Sequence, residues 1–440
     1  MERYVAAIEI SSSKIIGVVG RVHGAGQVDI IAVEQEKCVE SVRYGVIQNL
    51  EETSMRIARI LEKLEHKPSI SPRRISRLFI GLSGRSLRSI PTNVRISLPE
   101  DTEISEEILA RLRKDAFNVS IDSSLEVVDA VARKYKIGKL ETASPKGVIG
   151  NEIQANYDII VCRPELKRNI TRAVKDKLGI DIAGFVVTPL AAGHLILSTE
   201  EKRLGCMLVD IGAETTTVTI YRNGALNYFA TLPFGGRNIT RDITSLTLLE
   251  EKAEELKMTL GNAIAPENPS SLNLSGIKIA EVGNLVVARS EEIVANIVEQ
   301  ISYAGLKEKD LPGGIVCIGG GAKLNGMTDL ISLRLGGLPV KLGRLPSYVH
   351  LEDVKGPSSE IVEVASVLYA GATLTSASCL ETPAKEELPA IGEANEPEEP
   401  RERPARKAES GSNKIISKIK LGLAGLFRNP EDDDDSGLLE

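Results

Sequence analysis

The sequence predicts an α/β protein of two lobes, with a small subdomain inserted into the first lobe and a C-terminal amphipathic helix on a disordered linker. Three observations predict this. Apolar runs of strand length alternate with helical patterns up to about residue 380, the texture of α/β layers. Two similar strand–turn–strand segments, one ending near Glu9 and one near Asp210, recur about 200 residues apart. Composition changes sharply after Leu380, where Pro383, Pro389, Pro397, Pro400 and Pro404 stand among many Glu. A chain of 440 residues has room for more than one core.

Taken in order, residues 4–10, 15–22 and 28–33 read as strands, the first two joined by a small polar turn. Residues 53–64 place Ile57, Ile60, Leu61 and Leu64 at helical spacing and stop before Pro68. Residues 77–82 read as another strand. From about Gly84 to Asn151 the texture changes to short strands and charges, with a helix over 105–117 that Ser105 and the following glutamates can start. Residues 157–162 resume a buried strand and 165–178 a helix. Residues 206–211, 216–221 and 225–232 read as a strand meander, 239–260 as mostly helix, 290–304 as a long helix, and 314–318 as a strand entering a glycine run.

Composition excludes several classes. The net charge of -7 argues against a nucleic-acid partner, which selects for basic excess. Cys38, Cys162, Cys206, Cys317 and Cys379 are far apart and without CxxC spacing, so neither a disulfide framework nor a zinc site is expected. His23, His66, His194 and His350 show no metal-ligand spacing. There is no signal-peptide pattern and no run of 18 apolar residues. Trp is absent, so the core must be aliphatic.

The two hairpins carry chemistry. The first reads Glu9, Ile10, Ser11, Ser12, Ser13, Lys14; the second Asp210, Ile211, Gly212, Ala213, Glu214, Thr215, Thr216, Thr217. Small turn residues let backbone N–H groups converge on an anion, hydroxyls add donors, and a carboxylate on the same gap can hold hydrated Mg²⁺. One such hairpin alone is more often an ordinary tight turn. A third segment, a buried strand running into Gly319, Gly320 and Gly321 and then Lys323, lets backbone approach a nucleotide without Cβ interference. It is neither a GxxxxGK[ST] loop nor a GxGxxG opening a helix. The order hairpin, hairpin, glycine turn is that of the actin-like ATPases. On this reading Glu9 and Asp210 hold Mg²⁺ through bound waters. Ser11, Ser12, Ser13 and the backbone at Lys14 grip the phosphates of ATP or ADP from one side; Gly212, Ala213, Thr215 and Thr216 grip them from the other, and Glu214 in the same turn repels a triphosphate unless it faces away. Gly235 and Gly236 line the cleft, and Gly319, Gly320, Gly321 and Lys323 face the ribose and α-phosphate. Lys14 reads equally well as a solvated lysine at a turn. No Ser/His/Asp or Cys/His constellation supports covalent catalysis.

The stretch from Thr231 through Pro233, Gly235, Gly236, Asn238, Thr240 and Asp242, followed by Ala253, Glu254 and Lys257, resembles the PxGGxxITxDI segment and AExxK helix of the bacterial cell-division family FtsA. Residues 78–85, Leu204-Gly205 and residues 358–372 are similar to further segments of that family, in the same order. The resemblance implies an actin-like two-lobed ATPase fold, with lobe one at 1–77, 164–200 and 364–380, and a family-specific insertion at 78–163. It implies lobe two at 201–242 and 307–363, with an outer helical subdomain at 243–306. It puts Glu254 and Lys257 beside the adenosine. It further implies filaments by self-association, binding to the FtsZ C-terminal tail, contact with other division proteins, and a place on the cytoplasmic face of the cell membrane at the division site. Ser11, Ala213 and Glu214 stand where that family has glycines, and Thr217 replaces a frequent acidic residue, so weak or absent hydrolysis is expected. The alternatives are an actin-like scaffold of pilus-type machinery and a small-molecule kinase of the same superfamily.

Residues 381–412 read as a tether whose r.m.s. reach is on the order of 30 Å. In residues 413–429, Ile415, Ile416, Ile419, Leu423, Leu426 and Phe427 fall within one helical arc. Lys414, Lys418 and Arg428 lie opposite, with Lys420 at the boundary and Leu421 off pattern. A basic amphipathic helix in an acidic chain matches an anionic membrane surface; a helix docking on a protein has the same pattern. The acidic tail 430–440 reads as a solubilising end.

Overall fold

The computed structural model describes residues 2–23, 27–38, 40–267, 273–274, 277–352 and 358–382. The tether beyond Thr382, the amphipathic segment from Lys414 to Arg428 and the acidic tail lie outside the described residues.

Lobe one is built on a six-stranded sheet in the order Asp181–Val187, Arg77–Leu82, Arg3–Ile10, Lys14–Val22, Val28–Lys37, Val349–Leu351. Its first three strands are parallel and its central hairpin antiparallel. Strand Arg3–Ile10 is buried along nearly its whole length, as a strand covered on both faces must be. Helix Leu50–Glu65 packs Ile57, Ile60, Leu61 and Leu64 on the sheet, the face its spacing announced, and Asn49 caps it by accepting from the Glu52 N–H. Each such fully buried isoleucine or leucine contributes roughly 1.5–3 kcal/mol. Helix Val362–Leu374 closes the lobe, with Gly371 letting Phe79 seat against it.

Two predicted boundaries shift. Strand Arg77–Leu82 lies inside the lobe-one sheet, so the insertion begins after it and not at residue 78. Strand Val349–Leu351 pairs with Val28–Lys37, so the chain has returned to lobe one well before residue 364.

The insertion pairs three long strands, Arg88–Glu103, Glu126–Ile137 and Ile149–Cys162, over helix Glu106–Phe117. Residues 157–162 are the end of one 14-residue strand. This sheet is not self-contained: Arg88 pairs with Ala230, which joins it to the lobe-two sheet as one nine-stranded order. Arg133 secures the seam by bridging the buried Asp158 and the Asn227 carbonyl.

Lobe two continues that sheet through Ala225–Leu232, Thr216–Arg222, Cys206–Ile211, Ile315–Ile318 and Val340–Leu342. The helix expected over 239–260 is two, Gly236–Thr244 and Glu250–Leu260, divided where Thr247 takes φ 65°. The long helix runs Ile279–Tyr303, starting earlier than its most apolar part. Among the described residues three apolar cores result: one fills lobe one and continues onto a face of the lobe-two sheet through Leu208, Tyr221 and Ile318, one lies in lobe two and one in the insertion.

Candidate nucleotide site

The first hairpin turn closes with the Ser11 N–H and Ser11 Oγ both donating to the Lys14 carbonyl, at 3.0 and 2.8 Å. Ser12 is buried and its Oγ accepts from the Gly45 N–H at 3.1 Å. Ser13 is exposed, and its carbonyl takes the Cys38 N–H. The second hairpin closes with Gly212 N–H on the Thr215 carbonyl at 2.8 Å. Its own carbonyls turn outward: Gly212 and Ala213 accept from the Gly236 and Arg237 N–H groups at 2.9 and 2.7 Å, capping the start of helix Gly236–Thr244. Gly235 makes this possible. A Cβ there would stand 2.4 Å from the Gly212 oxygen and 2.9 Å from Ala213. The Thr216 hydroxyl is fully buried and donates to the Phe234 carbonyl, and the Thr217 hydroxyl pairs with that of Thr231, so both hydroxyls are already engaged within the protein. An anion at this turn would meet backbone and Thr215.

The glycine turn follows strand Ile315–Ile318, which runs parallel to Cys206–Ile211. Gly319 has φ 88°, and a Cβ on it would lie 2.6 Å from Asp210 Oδ1. Gly321 packs against Ile211, while nothing lies within 4 Å of a Cβ on Gly320, the open member of the turn. Lys257 Nζ donates to Glu254, the Thr240 hydroxyl and the Gly236 carbonyl at 2.7, 3.0 and 3.2 Å. Gly236 in turn adjoins Gly321. The Glu254–Lys257 pair therefore sits at the junction of the second hairpin and the glycine turn.

Three carboxylates gather where the lobes meet: Glu9, Asp210 and Glu363. Burial pushes all three above the ordinary carboxylate range, and mutual repulsion adds to it for Glu9 and Asp210. Asp210 is pushed up to about 8. Lys14 and Lys323 both lie close enough to Glu363 to offset part of this. Lys14 also donates to the Glu360 carbonyl at 3.4 Å. Burial lowers Lys323. Among the described residues no three acidic, thiol or imidazole groups are close enough to ligate one metal directly.

Glu214 does not face this centre. Its carboxylate is 1% exposed and lies against Arg43, Arg237 and Arg241 at 2.8, 3.2 and 3.1 Å, and it accepts from the Tyr44 N–H at 2.7 Å. Burial alone would raise it; the Tyr44 N–H, Arg237 and Arg43 reverse that and hold it below the ordinary value.

Sequence reasoning missed Glu363, Arg43, Arg237, Arg241 and Thr188. Glu363 had a signal, a lone carboxylate between Val362 and Val364 in an otherwise apolar helix. Thr188 had none. Its hydroxyl is fully buried without a hydrogen-bond partner, beside Gly81 and the Glu9 side chain.

Comparison with known proteins shows the family and the fold. A family model described as cell division protein FtsA matches residues 207–365, and one described as the SHS2 domain inserted in FtsA matches residues 84–161. A cell division protein FtsA of Porphyromonas gingivalis is 33% identical over 338 residues, 74% of this chain and 69% of that one. One of Pseudomonas aeruginosa is 27% identical over 371 residues, 80% and 85% of the two chains. Among solved structures, a chain of a PilM–PilN type IV pilus biogenesis complex superposes with TM-score 0.58 at 18% identity, covering 84% of this chain and 97% of that one. That likeness shows the fold alone, which is actin-like.

Proposed function

Because the chain belongs to the FtsA family of cell-division proteins, we propose that it binds ATP or ADP with Mg²⁺ between its lobes and anchors FtsZ to the cell membrane. The observation that supports nucleotide binding is the convergence of both hairpin turns and the glycine turn on Glu9, Asp210 and Glu363. The residues fit a Mg–nucleotide. Gly319 leaves no room for a side chain beside Asp210, Gly320 is open, and the Thr188 hydroxyl lacks a partner. Mg²⁺ would supply charge neutralisation to the phosphates. Glu9 and Asp210 would hold its water shell. The backbone of Ser11–Ser13, Lys14, and the turn at Gly212 and Thr215 would bind phosphate oxygens. Gly320 would lie against the ribose, with Glu254 and Lys257 beside the base. Hydrolysis is expected to be slow, since Glu214 is held by arginines and Thr217 by Thr231. Neither of these two positions therefore supplies a base for the attacking water.

Addition of Mg-ATP should raise the melting temperature of the purified chain. At 100-fold excess over Kd the gain is about 2.7 kcal/mol; no shift at millimolar Mg-ATP removes the nucleotide reading. The division role rests on the FtsA family and on the basic amphipathic segment around Ile415, Ile419 and Leu423. On it, copies of the chain associate into filaments on the cytoplasmic membrane face at the division site and bind the FtsZ C-terminal tail beside other division proteins. Filaments would add avidity to an anchor that is reversible in a single copy. Co-sedimentation with anionic vesicles should carry FtsZ down with the full chain and not with a chain ending at residue 412. Equal sedimentation of the two would remove the membrane part.

A further inference from the structure

The turn Arg43-Tyr44-Gly45 lies between two short strands of lobe one, Val42–Arg43 and Val46–Ile47, with Val42 and Ile47 in the lobe-one core. It touches both phosphate hairpins. The Gly45 N–H donates to Ser12 of the first at 3.1 Å, and the Tyr44 N–H donates to Glu214 of the second at 2.7 Å. Arg43 adds its guanidinium to the same carboxylate at 2.8 Å, while Arg85 stacks on the Tyr44 ring at 4.8 Å. From lobe two, Arg237 and Arg241 of helix Gly236–Thr244 approach Glu214 at 3.2 and 3.1 Å. Tyr44 has φ 51°, a strained conformation for a non-glycine residue. Such a turn persists where its surroundings over-determine it, and here both of its free N–H groups are claimed from opposite sides.

We propose that Glu214 is an interlobe latch: its buried carboxylate ties the Arg43-Tyr44-Gly45 turn of lobe one to helix Gly236–Thr244 of lobe two, and so sets how fast the cleft opens to release its ligand. Opening the lobes must either pull Glu214 from Arg43 and the Tyr44 N–H or drag it from Arg237 and Arg241. Each route strips a buried carboxylate of charged partners, which slows dissociation more than association. Arg237 is also paired with Glu250 at 3.2 Å, so that pair serves as a control.

The release part rests on the nucleotide reading; the contact itself does not. Two readouts on the full chain separate them. The first is amide hydrogen exchange at Tyr44 and Gly45 without nucleotide. The second is the dissociation rate of a fluorescent ATP analogue with Mg²⁺. Glu214→Ala should speed both, release by on the order of tenfold. Arg43→Ala, at a side chain 37% exposed, should speed both while Arg237 and Arg241 still pair the Glu214 carboxylate. Glu250→Gln should leave both unchanged. Unchanged exchange at Tyr44 and Gly45 in the two alanine variants overturns the latch, as does faster exchange with an unchanged release rate. An unaltered protein that binds no analogue overturns the nucleotide reading, and the exchange data then decide the latch alone.

Discussion

The two strand–turn–strand hairpins share a pattern and differ in where their side chains go. The Ser11–Ser13 turn closes within lobe one: Ser11 bonds its own hairpin, and Ser12 bonds the neighbouring Gly45. The Gly212–Thr215 turn spends its carbonyls on capping helix Gly236–Thr244 and its carboxylate, Glu214, on arginines of both lobes. A repeated motif therefore yields one turn supported by its own lobe and one that is a structural junction. The asymmetry teaches that substitutions in the second hairpin report on lobe geometry as well as on ligand binding, whereas those in the first report mainly on the ligand.

The largest expected effect comes from breaking the junction at its tightest point. In Gly235→Ala the new methyl meets backbone, 2.4 Å from the Gly212 oxygen, and neither side can move without uncapping the helix. A destabilisation of about 3 kcal/mol is expected, the upper end for overpacking. Gly283→Ala in the long helix Ile279–Tyr303, with open space around the added methyl, should instead stabilise by about 0.5–1 kcal/mol. Chemical denaturation of both variants checks the contrast. Equal, small effects would mean that the second hairpin can slide on its helix.

A smaller effect tests the buried charge that the two hairpins bring together. Asp210, held up to about 8 by burial and Glu363, keeps its proton in the folded chain long after the unfolded chain has lost it. The folded state thus binds more protons between the ordinary carboxylate range and pH 8. The sign follows: without nucleotide or divalent cation, stability falls as pH rises through that window, by at most about 1.4 kcal/mol per pH unit for one proton. Melting temperatures of the metal-free protein should fall from pH 6 to pH 8, and Asp210→Asn should flatten the slope. A profile rising over that interval would contradict the buried, protonated aspartate.

Much of this arrangement was legible because it is local. Strands such as Arg77–Leu82 and Cys206–Ile211 are apolar runs bounded by small residues, and the hairpin turns declare themselves by Ser, Gly and Thr. Helix Leu50–Glu65 carried its buried stripe in its spacing. What the sequence hid is pairing over long distances. Nothing in Arg88 or Ala230 signals that they join two sheets, because one backbone bridge carries no side-chain pattern. Nothing in Val349–Leu351 signals a return to lobe one. The direction of Glu214 was hidden for the same reason. A carboxylate next to a candidate phosphate turn reads as repulsive until Arg43, about 170 residues earlier, is seen beside it. The split of 239–260 escaped notice because a single threonine at positive φ ends a helix without glycine or proline to mark it.

The smallest expected effect sharpens the comparison on the lobe-one side. Thr188 opens helix Thr188–Ile196 with a hydroxyl that is fully buried, unpartnered and adjacent to Glu9. A buried hydroxyl without a partner costs stability, so Thr188→Val, of nearly the same shape, should leave the ligand-free protein within about 1 kcal/mol of the original or slightly more stable. If the hydroxyl waits for a ligand or its water shell, the same variant should lose part of the Mg-ATP-induced rise in melting temperature, by about 1 kcal/mol for one neutral hydrogen bond. Loss of the rise with unchanged ligand-free stability would assign Thr188 to the first hairpin's side of the site. A full rise in the valine variant would make the hydroxyl a packing residue, and lobe one would then contribute to the ligand through its hairpin and Glu363 alone.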